Sequence, residues 1–362
     1  MKTILILANF DVGLYKFRKE LIQEFLNQGK TVYISLPDGE LVRNLESMGC
    51  IFVDTFVDRR GINPKTDAKL MFFYWKLIKK IRPDMVITYT IKPNIYGGMV
   101  CRMLHIPYSV NITGLGTAFQ NENMVKKIVT FLYKIALKKA KVVFFENIEN
   151  QQTMLKMNIV KKNRTCVLNG AGVNLEEYSF CEYPPEGEMR FLFIGRVMEE
   201  KGINELFQAM CRLIIDKYRC SLDILGEYEE DYKEMIEKYE NEGWLHYHGY
   251  KKEVREYIEK CHCFILPSWH EGMANTNLEC AASGRPVITS NIHGCLEAVE
   301  NGVSGYLCER QNAEELYQTM KKFMLLSYDE KKAMGLAGRK RMEKLFDKKE
   351  VVKDTIKVIG MR

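Results

Sequence analysis

With 362 residues, 46% of them hydrophobic and 28% charged, the chain is long for one domain, comfortable for two, and excluded from the disordered and fibrous classes. It contains no run of eighteen apolar residues, and Met1-Lys2 leads into an apolar stretch too short for a signal peptide, so neither a membrane span nor a leader is expected. The net charge of +6 is uneven: residues 1–185 hold 26 Lys and Arg against 16 Asp and Glu, and residues 186–362 hold 27 against 31, so the first half suits an anionic membrane surface or nucleic acid.

Apolar runs predict strands at Ile4–Ala8, Thr31–Leu36, Ile51–Phe56, Met85–Thr90, Tyr108–Ile112, Val142–Glu146 and Cys166–Asn169. Amphipathic helices fall between several of them, such as Tyr15–Asn27, closed by Gly29, and Ala68–Ile81, closed by Pro83. A break at Glu176 to Glu188 carries Pro184, Pro185 and Gly187. Alternation then restarts with Phe191–Gly195, Ser221–Gly226, Leu245–Tyr250, Cys263–Ser268, Pro286–Ser290 and Ser304–Cys308. Such alternation implies α/β domains with doubly wound parallel sheets. We expect two of them, 1–180 and 181–345, facing across a cleft, with the helix 346–362 returning to the first.

The eleven cysteines are scattered through apolar segments, which fits reduced thiols better than a disulfide framework. Cys261-His262-Cys263 has no second pair at zinc spacing and reads as core. Gly29-Lys30-Thr31 imitates a phosphate-binding loop, but Glu24 stands where that loop needs glycine. Gly114-Leu115-Gly116 follows a fifth strand rather than the first, so a dinucleotide fingerprint is weak. Gly13, in the first strand's exit loop, lets one backbone amide approach an anion.

Two stretches carry the chemistry. Arg196 and Lys201 bracket the loop after Gly195, ahead of a helix expected at Asn204–Ile215, and two cations beside a helix N-terminus suit a diphosphate. The plain alternative is two surface cations paired with Glu199 and Glu200. Further on, Glu271 and Glu279 stand eight positions apart, the first on a loop after a strand and the second in a helix beginning near Asn275. Both would face the space beyond the strand end, where open α/β sheets bind ligands. Against this, Thr276-Asn277-Leu278-Glu279 also fits a capping box. No Asp-x-Asp occurs, so a nucleotide diphosphate would be neutralised by Arg196, Lys201 and helix amides rather than by a clamped metal.

Gly195-Arg196, Lys201 and the Glu271/Glu279 pair resemble the donor site of retaining glycosyltransferases of family four, which have the two-Rossmann GT-B fold. The resemblance covers essentially the whole chain, through Gly170-Ala171-Gly172-Val173-Asn174 and Leu225-Gly226-Glu227. Thr90 to Gly97 and Asn111 to Gly116 look like bacterial enzymes that extend lipid-linked capsule, O-antigen or glycan intermediates, including α-N-acetylgalactosaminyltransferases acting on undecaprenyl-diphosphate sugars. The resemblance implies a metal-independent hexosyltransferase without cofactor, taking a nucleotide diphosphate sugar, with UDP favoured, and a lipid-linked saccharide acceptor. It implies that Arg196 and Lys201 hold the diphosphate, Glu271 the sugar hydroxyls and Glu279 the ribose. Gly195, Gly226, and the backbone of Gly272, Met273, Ala274, Asn275, Thr276 and Asn277 would complete the donor site, with Gly13 approaching from the other domain. Lys92, Asn111 and Thr113 would lie on the acceptor side. Many relatives carry a histidine where Thr113 stands, and threonine cannot serve as a general base. His270, beside Glu271 on an extended stretch, points elsewhere.

Met124 to Lys141 reads as a basic amphipathic helix with Lys127, Lys134, Lys138 and Lys141 along one stripe, and Lys69, Lys76 and Lys80 form another beside Phe72, Phe73 and Trp75. Such stripes are either solvated or seated on an anionic leaflet. A lipid-linked acceptor favours the leaflet, and hence a peripheral position on the cytoplasmic membrane face. Two rival readings compete: a nucleotide-sugar 2-epimerase on the same fold, which should lack the Arg196/Lys201–Glu271/Glu279 set, and a non-catalytic binder of acidic polymers. Against the second, no aromatic-basic RNA motif is present and nucleic acid is not an expected partner.

Overall fold

The computed structural model describes residues 1–58, 61, 63–116, 119 and 124–360. Two compact units emerge: Met1–Ala171 together with Lys349–Arg362, and Gly172–Lys348. The division falls ahead of the Pro184-Pro185 segment, which belongs wholly to the second unit.

In the first unit the apolar runs become seven parallel strands: β1 (Thr3–Leu7), β2 (Thr31–Leu36), β3 (Ile51–Asp54), β4 (Met85–Tyr89), β5 (Tyr108–Ile112), β6 (Val142–Phe145) and β7 (Thr165–Val167). Their order is β3-β2-β1-β4-β5-β6-β7, so the winding reverses between β1 and β4. The central strands are apolar on both sides because helices cover both faces. Leu5, Val86 and Val110 point to one layer with Tyr74, Tyr133 and Leu137. Ile4, Ile6 and Ile87 point to the other with Ile22, Phe25, Ile356 and Ile359. The last two lie on the C-terminal helix Lys348–Ile359, whose Ile359 carbonyl accepts from Lys141 Nζ at 2.6 Å, a cation meeting a helix C-terminus.

Local chemistry sets the helix limits. Asn63 caps the helix Pro64–Ile81 by accepting from the Lys65 amide at 3.0 Å, and Arg82, left-handed at φ 49°, ends it before Pro83. The basic helix runs Met124–Leu137, shorter than its charge pattern suggested. Lys138 and Lys141 therefore lie beyond its end, and the lysine stripe is cut.

The second unit has β8 (Met189–Ile194), β9 (Cys220–Leu225), β10 (Leu245–Tyr247), β11 (Cys263–Leu266), β12 (Val287–Ser290) and β13 (Gly305–Cys308), all parallel, in the order β10-β9-β8-β11-β12-β13. Its reversal lies between β8 and β11. Val173 and Asp347 form a parallel bridge where the chain enters and leaves, and Gly172, at φ +69°, has no room for a Cβ against Lys348. The Pro184-Pro185 segment is pinned by Arg285. This fully buried guanidinium donates to the carbonyls of Ile258 (2.8 Å), Glu182 (2.8 Å), Glu259 (3.1 Å) and Cys181 (3.3 Å). The Cys261-His262-Cys263 triplet is core: both thiols are buried, and His262 accepts from the Arg190 amide while its other nitrogen meets the Pro185 carbonyl.

Candidate active site

In a doubly wound sheet, ligands sit beyond the carboxyl ends of the strands flanking the reversal. For the second unit those strands are β8 and β11. The loops leaving them hold Gly195 to Gly202 and Pro267 to Ala274, the two stretches singled out in the sequence.

Backbone contacts strap these loops together. The Trp269 amide donates to the Glu200 carbonyl at 3.0 Å, and the Trp269 indole donates to Glu205 Oε1 at 3.1 Å. Gly202, at φ +73°, is so close to the Pro267 carbonyl that a Cβ would lie 2.1 Å from its oxygen. Gly226 plays the same part for the first loop, where a Cβ would lie 1.8 Å from the Gly195 carbonyl oxygen. Its visible role is to admit that loop's backbone.

The straps bring together residues 70 positions apart. Lys201 Nζ and Glu271 Oε1 form a direct ion pair, with side chains only 18% and 13% exposed, and Ser268 Oγ donates to the same carboxylate oxygen at 2.8 Å. The alternative of Arg196 and Lys201 paired with Glu199 and Glu200 is not what forms. Arg196 is half exposed and meets Glu229 at 3.4 Å, while Glu200 meets His270 Nε2 at 3.3 Å. His270 thus turns away from Glu271's partner.

The helix after Glu271 runs Asn275–Ala282. Its N-cap is Ala274, with no side-chain cap, so the capping box expected from Thr276 to Glu279 does not form. Thr276 is already inside the helix. Glu279 instead receives a hydrogen bond from Tyr178, whose hydroxyl is pushed far above its ordinary pKa by burial first and by Glu279 next. The expected row of amides is also narrower. Ala274 donates to the Gly294 carbonyl at 2.7 Å and Asn277 to the Ala274 carbonyl at 3.0 Å, so these two amides are already used. Asn275 and Thr276 lie in the first helical turn, where amides have no acceptor within the helix. Met273 is buried, Gly272 partly exposed, and Asn277 Nδ2 donates inward to Thr289 Oγ1 at 3.0 Å.

In the first unit the reversal lies between β1 and β4. Gly13 sits within the helix Asp11–Asn27 rather than in a loop, so its amide belongs to a helix N-terminus. After β4, Thr90 is held at φ +70°, a strained conformation for a β-branched residue, and Pro93–Gly97 forms a π-helical turn. Lys92 is paired with Asp67 at 2.7 Å, and Tyr96 donates to the same carboxylate at 2.8 Å. Asn111 is buried and acts as a brace, donating to the Thr88 carbonyl at 3.2 Å and accepting on its own carbonyl from Asn94 at 2.9 Å. Thr113 follows β5, partly exposed. The sequence reading missed Asp67, Tyr178, Ser268 and the buried pair Arg18–Glu146, with the Arg18 guanidinium 5.0 Å from the Tyr89 ring centre. Burial is the main influence on Glu146 and raises its pKa, with Arg18 opposing.

Residues 176–341 match the family model "Glycosyl transferases group 1", and residues 3–147 match "Glycosyl transferase 4-like". The chain is a GT4-like glycosyltransferase. Its group 1 match contains both strapped loops together with Tyr178 and Glu279. The enzyme is 26% identical over 348 residues to the Campylobacter jejuni N,N'-diacetylbacillosaminyl-diphospho-undecaprenol alpha-1,3-N-acetylgalactosaminyltransferase, covering 91% of each chain. It is 25% identical over 334 residues to the Escherichia coli UDP-Gal:alpha-D-GlcNAc-diphosphoundecaprenol alpha-1,3-galactosyltransferase, covering 86% of this chain and 83% of that one. Among solved structures it resembles Anabaena HepE in complex with UDP and glucose, with a TM-score of 0.81 at 14% identity and full coverage of both chains. The fold of the glycosyltransferase is therefore GT-B. Among its described residues, no group of three or more His, Cys, Asp or Glu could hold a metal ion, and no helix is long and apolar enough to cross a membrane.

Proposed function

We propose that this glycosyltransferase moves a hexosyl or N-acetylhexosaminyl group, with retention, from a UDP-sugar to a saccharide carried on a lipid diphosphate. The observation that carries the reading is the Lys201–Glu271–Ser268 cluster at the reversal of the unit matching the group 1 model. The names of the relatives support the acceptor class, since both act on undecaprenyl-diphosphate saccharides. In this reading Lys201 and Arg196 stabilise charge on the departing diphosphate, and Lys201 also fixes the carboxylate that meets the sugar hydroxyls. The diphosphate takes the proton of the incoming hydroxyl, so the protein acts by positioning and charge stabilisation. Glu279 meets the ribose, and no metal takes part. The basic first unit suits a peripheral position on the cytoplasmic face of a membrane.

The test is transfer of labelled sugar from UDP-sugars to an undecaprenyl-diphosphate saccharide in EDTA. An α-linked product, lowered about 10²–10³-fold by Lys201→Ala, is expected from the usual worth of a charge-stabilising donor. Epimerised or free sugar formed without acceptor would contradict the reading.

A further inference from the structure

The first unit carries a surface that the transfer reaction does not use. Helices Pro64–Ile81, Gly98–Leu104 and Met124–Leu137 lie side by side on one face of its sheet, the middle one touching both others, and share one core layer. Together they hold nine lysines and arginines and one acidic residue, Asp67, which is engaged by Lys92. A solvated face would interleave both signs.

The same face exposes apolar side chains. Met124, Ile128 and Phe131 are 69%, 50% and 62% exposed and follow helical spacing, so the helix Met124–Leu137 bears a second apolar stripe besides the one entering the core at Tyr133, Ala136 and Leu137. Phe72 stacks on Trp75 with ring centres 6.0 Å apart, and Lys76 and Lys79 lie over these rings at 4.5 and 4.7 Å. An apolar slot of about 240 Å³, lined by Met71, Phe72, Trp75, Val100 and Met103, opens between the first two helices.

On the third helix a pocket of about 330 Å³ is lined by Lys126, Lys127, Thr130, Phe131, Lys134 and Met157. Thr130 Oγ1 is buried and has no hydrogen-bond partner, an unusual state for a hydroxyl that a helix carbonyl could have satisfied. Three ammonium groups, an unused hydroxyl and an aromatic rim fit a phosphate ester attached to hydrocarbon.

We propose that this three-helix face docks on an anionic bilayer, with the Thr130 pocket receiving a phospholipid phosphate and the Phe72–Met103 slot an acyl segment. The proposal rests on the membrane-side reading above and gives it residues and a ligand. Positive charge selects an anionic leaflet over a neutral one, and the exposed Phe131 and Ile128 reach below the headgroups.

The experiment is flotation of the full chain with vesicles of phosphatidylcholine alone or with 30% phosphatidylglycerol, a composition in line with the anionic leaflets such basic segments bind. Binding to the mixed vesicles only is expected, falling steeply with salt. Lys127→Gln/Lys134→Gln should weaken it roughly thirtyfold, at about fivefold per lysine near an anionic surface. Phe131→Ser should weaken it at constant charge, and Thr130→Val, which keeps the shape, should weaken it a few-fold. UDP affinity should stay unchanged in every variant, which separates this proposal from the catalytic reading. Equal binding to both vesicle types, indifference to these substitutions, or displacement by millimolar inorganic phosphate would overturn it. If the double variant fails to fold, the lipid and salt dependence of the unmodified chain decides alone.

Discussion

The Lys201–Glu271 pair is the feature whose energetics can be worked out most fully. Both side chains are more than four-fifths buried, so each charge has lost most of its hydration. Two unit charges in contact attract by about 4 kcal/mol at the effective dielectric of a protein surface. Desolvation of both cancels much of this. Removing one partner removes that attraction while the other charge stays buried: Lys201→Met takes the ammonium away from Glu271, and Glu271→Gln leaves the Lys201 ammonium facing a weak dipole. We expect each single change to cost about 2–3 kcal/mol in denaturant unfolding, and the double change far less than their sum, giving a coupling of about 2 kcal/mol. UDP affinity should respond differently. Lys201→Met should abolish it, alone or combined, because the diphosphate loses its cation whether or not Glu271 is satisfied. Urea unfolding of the four proteins, followed by tryptophan fluorescence and paired with UDP titration, reads both quantities. Additive stability losses, or UDP binding restored in the double variant, would refute the reasoning.

Other outcomes follow from neighbouring contacts. Glu205 is buried, accepts from Trp269, and has its pKa raised above 4.5 mainly by burial, so the folded state binds its proton more tightly than the unfolded chain. It therefore subtracts stability as pH rises from about 4.5 through its own higher pKa; Glu205→Gln should melt higher than wild type near pH 7, with the gap closing in thermal melts at lower pH. Arg285→Met strands the buried Ile258 carbonyl and three part-buried ones and should cost about 2–4 kcal/mol, seen as a large drop in melting temperature. Thr90→Gly removes the left-handed strain at φ +70° and should raise stability by up to about 1 kcal/mol while slowing transfer, if that strain serves the acceptor side. Gly226→Ala must push the Gly195 carbonyl away and should weaken UDP at least tenfold in titration, because the loop carrying Arg196 moves with it.

The sheets were the legible part of this chain. Buried parallel strands are continuous apolar runs, and the central strands show as such because helices cover both faces of each sheet, while the edge strands β3, β7 and β10 are short and partly exposed. The loops that carry Lys201 and Glu271 were legible too, since strand ends, glycine and clustered charge are local signals. What stayed hidden is pairing across distance. Nothing in the spacing joins Lys201 to Glu271, or Tyr178 to Glu279 across 101 positions, because those contacts depend on which strands become neighbours. Two local readings failed for physical reasons. The capping box does not form because the helix starts at Asn275, two residues before the Asn277 start that a Thr276 cap requires, with the Ala274 amide drawn to Gly294. The basic helix ends at Leu137, and beyond it Lys141 serves the C-terminal helix.

The central claim is a metal-independent nucleotide site built from Arg196, Lys201 and Glu279. It is tested most directly by calorimetric titration of the enzyme with UDP and with GDP in EDTA, repeated on Arg196→Ala and Glu279→Ala. The account predicts that UDP binds without metal and that both substitutions weaken it, Glu279→Ala by about tenfold for a lost pair of charge-assisted hydrogen bonds to the ribose. Failure of UDP to bind, or wild-type affinity in both variants, would contradict it and return Glu279 to a structural contact with Tyr178.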